Sequence, residues 1–422
     1  MYNVIKNFDA LAVTANRKDA MSIIEAGYRA VDTTHVVNES IFLENNILSI
    51  KGEKFDISLY NKVFLIGFGK ASCQAVRAIE NILGSNLAGG IVIDKDPSIC
   101  KIVDVYRGTH PFPSKENVEA TQKIVDLAQK LKDDDLVIVV VSGGGSALLC
   151  WPMSEYEQGG ELYKAFLHTG GTIGELNVLR KHLSEIKGGG LAKLLYPATV
   201  VSLIFCDVPG GHFENTASGP TYLDKTTIKD AENLLTKYSI KNTFSFNETP
   251  KDNIYFEKVT NIPFVSNNEA LEAMKKMAET LGYEVISLGS EVYDAPNNML
   301  SKMITELKPN SIVLACGELA ISLKKSGGVG GRNLYTSGQS INVISDSDVF
   351  IAFASDGIDN LSVSAGAIVD IETKKKIKEL NINLEEYLRQ DMGDKLFMEL
   401  GDNIITGPTG SNVSDFYLML RK

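Results

Sequence analysis

Short runs of apolar, mostly β-branched residues alternate with amphipathic stretches along most of this chain. Several of the runs are apolar at every position, which is typical of strands buried on both faces of a sheet. We predict strands at Val63–Ile66, Ile91–Ile93, Ile102–Val105, Leu136–Val141, Thr199–Phe205, Glu284–Leu288, Ile312–Ala315 and Val349–Ala354. The stretches between them predict helices from about Lys70, over Ser114–Leu131 and over Asn267–Leu281. This alternation predicts an α/β fold with a doubly wound, mostly parallel sheet.

Two domains are expected, because a chain of 422 residues is longer than a single hydrophobic core usually grows. Residues 238–253 are polar, lack clear periodicity and include Pro250. We therefore predict the doubly wound domain over 1–245. The alternation of strands and helices resumes beyond that point, so a second α/β domain is predicted over 246–422.

The composition narrows the possible partners and location. The formal net charge of -11 argues against nucleic acid as a partner, because an acidic chain repels a phosphate backbone. The five cysteines form no C-x-x-C pair, which is typical of reduced thiols in a reducing compartment. The N-terminal residues carry charges throughout and do not resemble a secretory signal. The longest apolar runs are far short of the roughly 20 residues that span a membrane. We predict a cytoplasmic protein with no membrane partner, and leave open whether it forms a homodimer.

In the first domain, glycines and hydroxyls follow the predicted strand ends, where open α/β sheets bind ligands. Gly67, Gly69 and Lys70 follow the first strand, and glycines at such a turn let the backbone approach a phosphate. The spacing differs from that of a P-loop. A second candidate phosphate-binding turn comprises Ser142, Gly143, Gly144, Gly145 and Ser146. We predict that both turns bind nucleotide phosphates; the alternative is that each is a tight turn that only packs on its neighbour.

Positive side chains cluster between residues 174 and 190 of this otherwise acidic chain. We predict that Arg180 and Lys187 bind the substrate, and that the other basic residues lie on the solvated side of a helix. Asp207 comes just after the next predicted strand. A carboxylate at such a strand end in a phosphate site commonly holds Mg²⁺, directly or through water. The alternative for Asp207 is that it caps the next helix or stiffens the loop.

The second domain has three further charged candidates. Glu318 and Asp356 each follow a predicted strand, whereas Arg332 lies among glycines in the segment Gly327–Asn333. Arg332 can bind a phosphate or a carboxylate with two parallel hydrogen bonds. Asp356 is suited to Mg²⁺ or to orienting a hydroxyl group, and Glu318 is a candidate for substrate binding. Since neither domain has the full set of groups, we predict that the active site lies in the cleft between the domains.

Taken in order, these segments resemble the glycerate 2-kinase family of the MOFRL type. The resemblance extends from about Leu65 to Phe416 and rests on the ordered motifs GFGKAS, THPFPS, VSGGGSALL, GELNVLRKHLSEIKGGGLA, DVPGG, ASGPT, GGRN, SDGID and GPTGSNVSD. It implies a Rossmann-like N-terminal domain, a C-terminal MOFRL domain and an active site between them. It also implies phosphorylation of the 2-hydroxyl of D-glycerate by ATP with a divalent cation. Lys70, Arg332 and Asp356 match the family's proposed catalytic positions.

The expected mechanism is in-line phosphoryl transfer, catalysed by positioning and charge neutralisation. Lys70 and the glycine turns would hold the phosphates, Asp207 and Asp356 would hold Mg²⁺, and Asp356 or another carboxylate would take or orient the hydroxyl proton. Which basic residue binds the substrate carboxylate is left open. One alternative is an NAD(P)H-dependent hydroxypyruvate reductase, with GFGKAS as the dinucleotide turn and Asp94 at the end of the next strand. Another is a non-catalytic sensor of phosphorylated acids.

Overall fold

The computed structural model describes residues 3–321 and 329–422. Gly327 and Gly328, the first two glycines of the predicted glycine-rich segment, lie outside the described residues. The chain divides into two compact units. Unit 1 comprises Met1–His35, Pro209–Gly211 and Val265–Lys422, and unit 2 comprises Val36–Val208 and His212–Phe264.

The strands of the described residues are β1 Ile41–Glu44, β2 Ile47–Ile50, β3 Glu53–Asp56, β4 Lys62–Phe68, β5 Leu87–Asp94, β6 Asp104–Arg107, β7 Asp135–Ser142, β8 Thr199–Phe205, β9 Val259–Val265, β10 Glu284–Ser287, β11 Ser311–Gly317, β12 Asp348–Ala354, β13 Gly366–Val369, β14 Asn403–Ile404 and β15 Asp415–Arg421. The α-helices are α1 Phe8–Leu11, α2 Ala15–Val31, α3 Thr33–Ser40, α4 Ser72–Leu83, α5 Lys115–Ala128, α6 Gly145–Leu148, α7 Met153–Leu167, α8 Ile173–Leu183, α9 Gly190–Leu195, α10 Ile228–Lys237, α11 Asn267–Thr280, α12 Pro296–Glu306, α13 Arg332–Ser340, α14 Ile371–Glu379, α15 Leu384–Arg389 and α16 Gly393–Leu400. None of these helices is both long enough and apolar enough to span a bilayer.

The two units differ from the predicted ranges of 1–245 and 246–422 at both ends of the first domain. The N-terminal residues cluster with the C-terminal half, because α2 packs along α11. The contact is close at Gly27, where a Cβ atom would lie 2.8 Å from Cγ of Met274. The second boundary falls at the end of β9, which the polar stretch at 238–253 precedes.

Unit 2 contains a six-stranded sheet in the order β6-β5-β4-β7-β8-β9. β4 pairs in parallel with β5 and β7, β5 pairs in parallel with β6, and β7 pairs in parallel with β8. Starting at β4, the chain therefore adds strands on one side and then returns to add β7 and β8 on the other. A separate antiparallel sheet, β1-β2-β3, belongs to the same unit.

Helices cover both faces of the parallel sheet. Ile66 of β4 belongs to a core that includes Ile124 of α5 and Leu191 of α9. The next residue, Gly67, faces the opposite side, where a Cβ atom would lie 2.6 Å from Cγ2 of Val76 on α4. Because successive strand residues point to opposite faces, α4 lies on one face and α5 and α9 on the other. The predicted doubly wound architecture is confirmed.

Unit 1 contains a mixed six-stranded sheet in the order β10-β11-β15-β12-β13-β14. β10 and β11 are parallel, whereas the C-terminal strand β15 lies between β11 and β12 and is antiparallel to both. The eight strands predicted from the sequence are present, although β6 begins at Asp104, two residues later than predicted. The strands β1–β3, β9, β13, β14 and β15 were not predicted.

Candidate active site

The order of strands in unit 2 reverses between β4 and β7. Ligands of open α/β sheets bind at such a switch point, outside the carboxyl ends of the strands. The two predicted phosphate-binding turns follow these two strands and contact each other there. The backbone N–H of Lys70 donates to the carbonyl oxygen of Gly143 at 2.8 Å, and the Ser142 hydroxyl donates to the carbonyl oxygen of Lys70 at 2.8 Å. The structure thus brings the two turns together.

Glycine is required at two positions of these turns by close approach. Gly69 has a φ of 115°, and a Cβ atom on it would overlap the backbone of Ser142. A Cβ atom on Gly143 would overlap the carboxylate of Asp207, which follows β8. Gly67, by contrast, lies inside β4 and faces α4, so its lack of a side chain serves helix packing. Within the described chain, the N–H groups of Gly143 and Gly144 have no hydrogen-bond acceptor.

A pocket of about 310 Å³ opens beside these turns and is lined by residues of unit 2 alone. Polar and charged groups from six segments of the chain line it, including His110, Gly144, Ser146, Glu155, Asn177, Arg180, Lys187, Asp207 and Asn215. Phe112 and Tyr163 form an aromatic part of the wall, with ring centroids 5.3 Å apart. The volume suits a small polar ligand or part of a larger one.

Among the described residues, Arg180 lines this pocket without a direct ion pair, although the charge of Glu155 reaches it through space. It lies on α8, and its guanidinium carbon is 5.4 Å from the centroid of the Tyr163 ring. No hydrogen bond or ion pair joins Arg180 to any other part of the chain that the structure describes. Burial lowers the pKa of Arg180, which means that its charge is only poorly solvated. A half-buried guanidinium without a counter-ion is a favourable place for a carboxylate or a phosphate.

Lys70 and His110 lie on either side of Gly144. A Cβ atom on Gly144 would be 2.9 Å from Cδ2 of His110 and 3.3 Å from Cγ of Lys70. Burial, followed by the positive charges of Lys70, Lys95 and Arg180, lowers the pKa of His110 to about 4. His110 is therefore neutral at neutral pH, because burial first and the nearby positive charges second disfavour its protonated form.

Lys187 lines the pocket but differs from Arg180 in its environment. Its side chain is 1 % exposed, and its ammonium group donates to the carbonyl oxygen of Leu149 at 2.8 Å. It also forms an ion pair with Glu155, whose other carboxylate oxygen accepts from the Trp151 N–H at 3.0 Å. The charge of Lys187 is thus already compensated within unit 2.

The carboxylate of Asp207 is the candidate Mg²⁺ ligand of unit 2. Mg²⁺ is usually held by one or two carboxylates together with substrate phosphates, not by a cage of protein ligands. In the described residues, no group of three or more His, Cys, Asp or Glu side chains is placed to hold a metal ion. A carboxylate that packs against the Gly143 turn fits an ion that would share its ligands with a phosphate.

In unit 1, Arg332 contacts the side chains of two acidic residues. Its Nη1 is 3.0 Å from Oε2 of Glu318 and its Nε is 3.3 Å from Oδ2 of Asp415. Asn333 donates through Nδ2 to Asp415 at 2.9 Å and to Asp359 at 3.2 Å. The GGRN, SDGID and NVSD segments therefore meet through their side chains, which orients the guanidinium that begins α13.

Asp359 of the SDGID segment serves the backbone of the same turn. It is 3 % exposed, and it accepts from the N–H groups of Gly331 at 2.9 Å and Leu334 at 2.8 Å. These are donors at the start of α13 that would otherwise lack a partner. Burial raises the pKa of Asp415 to about 8, although the charge of Arg332 opposes that rise.

Asp356 directly follows β12, as predicted. It is half-buried, and its Oδ1 accepts from the N–H of Ile358 at 3.1 Å. Tyr28 donates its hydroxyl to the carbonyl oxygen of Ala354 at 2.9 Å, and its pKa is raised by burial and then by the charge of Asp356. Asp356 and Arg332 belong to unit 1, whereas Lys70 and Asp207 belong to unit 2.

The sequence did not single out several residues of these clusters. Asn177 and Phe112 lie inside segments that the sequence had marked, GELNVLR and THPFPS, but nothing in the pattern distinguished them. Glu155 and Tyr163 lie on α7, an amphipathic helix without a local signal of function. Asp359 and Asp415 stand in recognised motifs, yet their role as partners of the Arg332 turn depends on contacts between distant segments.

Phosphate-binding proteins of the α/β class use this edge of a parallel sheet, and unit 2 has that arrangement. The family described as a domain of unknown function, DUF4147, matches residues 19–247, and the MOFRL family matches residues 311–415. A glycerate 2-kinase of Pyrococcus horikoshii is 30% identical, over 96% of this chain and 97% of that protein. The chain therefore belongs to the family of MOFRL-type glycerate kinases, which are enzymes.

The chain is also similar to a solved glycerate kinase structure and to a relative that carries a different name. The crystal structure of a glycerate kinase from Thermotoga maritima superposes with a TM-score of 0.83 at 28% identity, covering 96% of this chain and 99% of that one. A protein of Agrobacterium vitis named a putative hydroxypyruvate reductase is 31% identical, over 84% of this chain and 86% of that protein. Both the preferred function and its first alternative thus occur among the names of relatives.

Proposed function

We propose that this protein transfers the γ-phosphoryl group of ATP to the 2-hydroxyl of D-glycerate, giving 2-phosphoglycerate and ADP, with Mg²⁺. The observation that carries the proposal is the meeting of the two glycine turns at the switch point of unit 2, next to Lys70 and the Arg180 pocket. Two unbonded N–H groups, of Gly143 and Gly144, and the ammonium group of Lys70 together suit the oxygens of a phosphate chain.

In the proposed mechanism, residues of unit 2 hold the anions. The N–H groups of Gly143 and Gly144 and the charge of Lys70 bind the phosphates, while Arg180 binds a carboxylate or phosphate oxygen in the pocket. Asp207 would hold Mg²⁺, which, when bound, neutralises phosphate charge. His110 stays neutral and adds no charge to a site that binds anions.

Unit 1 supplies Arg332 and Asp356 in this proposal. Arg332 is oriented by Glu318 and Asp415 and would stabilise charge on the transferring phosphoryl group or bind the substrate carboxylate. Asp356 would accept or orient the proton of the 2-hydroxyl group, or contribute to Mg²⁺ binding. We propose that groups from both units are needed for turnover, as the resemblance to the family implies.

The reductase alternative is weakened by the environment of Asp94. In dinucleotide-binding folds, an acidic residue at the end of the second strand binds the ribose hydroxyls. Here Asp94 is 3 % exposed, and its carboxylate accepts from the N–H groups of Cys73 at 2.9 Å and Asp96 at 3.3 Å. Asp94 therefore already has backbone partners. A non-catalytic sensor of phosphorylated acids would not need the candidate Mg²⁺ ligands Asp207 and Asp356, and both carboxylates are present.

The decisive experiment compares the two activities in one preparation. ADP release with D-glycerate and Mg²⁺–ATP, and NADH oxidation with hydroxypyruvate, are measured on the same purified full chain. We expect ADP release without NADH oxidation, and ³¹P NMR of the product should show the phosphate on the 2-hydroxyl. NADH oxidation without ADP release would overturn the proposal, and a 3-phosphate product would overturn the assigned position.

The role of Lys70 is tested by Lys70→Ala, with Lys62→Ala at the opposite, exposed end of β4 as the matched control. We expect kcat to fall by roughly a hundredfold or more in the first variant, because a charge that meets developing phosphoryl charge acts mainly in the transition state. The control should keep its kcat. Near-normal turnover of Lys70→Ala would remove Lys70 from the mechanism.

The role of Asp207 is tested by Asp207→Asn, with the exposed Asp134→Asn before β7 as the control. The Mg²⁺ concentration at half-maximal rate should rise sharply in the first variant only, because the substitution removes a carboxylate charge and preserves its shape. Overlapping Mg²⁺ titrations of Asp207→Asn and the parent protein would show that Asp207 is structural.

A further inference from the structure

Two thiols lie next to the Lys70 turn and have no part in the proposed mechanism. Cys73 is the second residue of α4, three residues after Lys70, and Cys100 lies in the connection between β5 and β6. Their sulfur atoms are 4.0 Å apart. A disulfide needs an S–S distance of about 2.05 Å, so the sulfurs must approach by about 2 Å.

Both cysteines are attached to the same helix, which keeps them within reach of each other. Glu80 of α4 accepts from the N–H groups of Lys101 at 2.7 Å, Ile102 at 2.8 Å and Val103 at 2.9 Å, which are the residues that follow Cys100. These hydrogen bonds hold the segment that follows Cys100 against α4, where the two sulfur atoms lie 4.0 Å apart.

Cys73 is also chemically distinct from the buried thiols elsewhere in the chain. A hydrogen bond from the Cys100 thiol, together with contacts to Ser98, lowers the pKa of Cys73 to about 6. Burial raises the pKa of Cys150, Cys206 and Cys316 instead. A thiolate reacts with oxidants and a thiol hardly does, so oxidation should select the pair of Cys73 and Cys100.

We propose that Cys73 and Cys100 form a reversible disulfide that switches off the Lys70 turn. With hydrogen peroxide as the oxidant, the Cys73 thiolate attacks one peroxide oxygen and the O–O bond breaks, which gives a sulfenic acid and hydroxide. The Cys100 thiol then attacks the sulfenic sulfur, the S–O bond breaks, and the departing hydroxide takes up the Cys100 proton as water. The first hydroxide takes up the proton that Cys73 released when it ionised. Two thiols and one peroxide thus give one disulfide and two waters, and a dithiol reductant reverses the change.

The first turn of α4 connects this pair to Lys70. The Ser72 hydroxyl donates to the carbonyl oxygen of Gly69 at 2.8 Å, and the residue between Lys70 and Ser72, Ala71, has a φ of 58°. A change at Cys73 is therefore passed to a tight backbone turn. The predicted loss of activity rests on the proposed function, in which Lys70 contacts the phosphates, whereas formation of the disulfide does not.

The test treats the reduced full chain with hydrogen peroxide, alkylates the remaining thiols and identifies cross-linked peptides by mass spectrometry without reduction. We expect a peptide pair joining Cys73 to Cys100, a fall in kcat/KM on the order of tenfold or more and full recovery with dithiothreitol. Cys100→Ser should keep the basal activity and lose the reversible inhibition, while Cys316→Ala, in the buried strand β11, should respond like the parent.

Three results would overturn the inference: no cross-link between these two residues, a cross-link without a change in kcat/KM, or reversible inhibition that persists in Cys100→Ser. If the reduced protein lacks glycerate kinase activity, the proposed function fails, and the peptide map alone still decides whether the disulfide forms.

Discussion

The buried ion pair between Lys187 and Glu155 predicts that Lys187 acts mainly through stability. The substitution Lys187→Met keeps an unbranched side chain, one atom shorter, and removes its charge. It leaves the Glu155 carboxylate, 7 % exposed, without its ammonium partner and with hydrogen bonds from the Trp151 N–H and the Cys150 thiol. Removing one partner of a buried ion pair typically costs about 3–5 kcal/mol. We expect the free energy of unfolding of unit 2 to fall by an amount of this order.

The size of this effect makes it easy to measure. For a unit of this length, each kcal/mol shifts the melting temperature by about 2–4 °C, so Lys187→Met should melt roughly 10 °C lower. The exposed Lys193→Met on α9 is the matched control and should melt as the parent does. In the double variant Lys187→Met with Glu155→Gln, much of the loss should be recovered, because no charge is left without a partner.

Calorimetry gives the melting temperatures, and kcat/KM is measured well below the lowest of them. We expect Lys187→Met to keep kcat/KM within about an order of magnitude of the parent, because the group it loses already binds Glu155. If the variant melts like the parent but loses turnover, Lys187 does not act mainly through stability. It would then contact the substrate, as the sequence had predicted.

Three further predictions concern the remaining charged groups. Arg180→Gln should raise KM about tenfold or more for the substrate whose anion Arg180 binds, because a hydrogen bond to a charged group is lost. Steady-state titrations of ATP and of glycerate show which of the two substrates is affected. Unchanged KM values for both would exclude a role of Arg180 in substrate binding. Asp359→Ala should lower the melting temperature of unit 1 and also kcat, because the backbone at the start of α13, where Arg332 lies, loses its hydrogen-bond acceptor. A normal kcat at reduced stability would show that Asp359 does not contribute to catalysis. Asp415 holds a proton in the folded protein up to a pKa of about 8, whereas the unfolded chain releases it near 4, so this group makes stability fall as pH rises between those values. Asp415→Asn should flatten that slope by up to ~1.4 kcal/mol per pH unit in urea unfolding, and an unchanged slope would contradict the raised pKa.

Much of the architecture could be predicted because buried parallel strands are apolar at every position. Val137 to Val141 shows this pattern, Val200 to Phe205 departs from it only at Ser202, and β7 and β8 form where they were expected. The strand β15 was not predicted, although Phe416–Leu420 is apolar, because it pairs antiparallel between β11 and β12, which are far away in sequence. The sequence also could not assign α2 to unit 1, because that assignment depends on the packing of α2 against α11.

For the candidate site, the sequence predicted which segments contribute to it, but not the role of each residue within those segments. Glycines and charges after strand ends identified both turns of unit 2, and the structure brings them into contact. The same pattern treated Arg180 and Lys187 alike, and the structure distinguishes them by the position of Glu155. It also marked Gly67 as a phosphate-binding residue, whereas in the fold Gly67 accommodates Val76 of α4.

The α/β class, the two-domain organisation and the ordered motifs that relate this chain to glycerate kinases can all be predicted from the amino-acid sequence. These features depend on local periodicity and on residue type, which are visible along a single stretch of chain. Only the tertiary structure decided which charges are compensated and which remain available to a ligand. Arg180 has no acidic partner among the described residues, Lys187 is paired with Glu155, and Arg332 is oriented by Asp415. The function of each charged side chain depends on the residues that pack against it in the folded chain. Those residues come from segments between about 14 and 83 residues away, and no local sequence pattern predicts their contact.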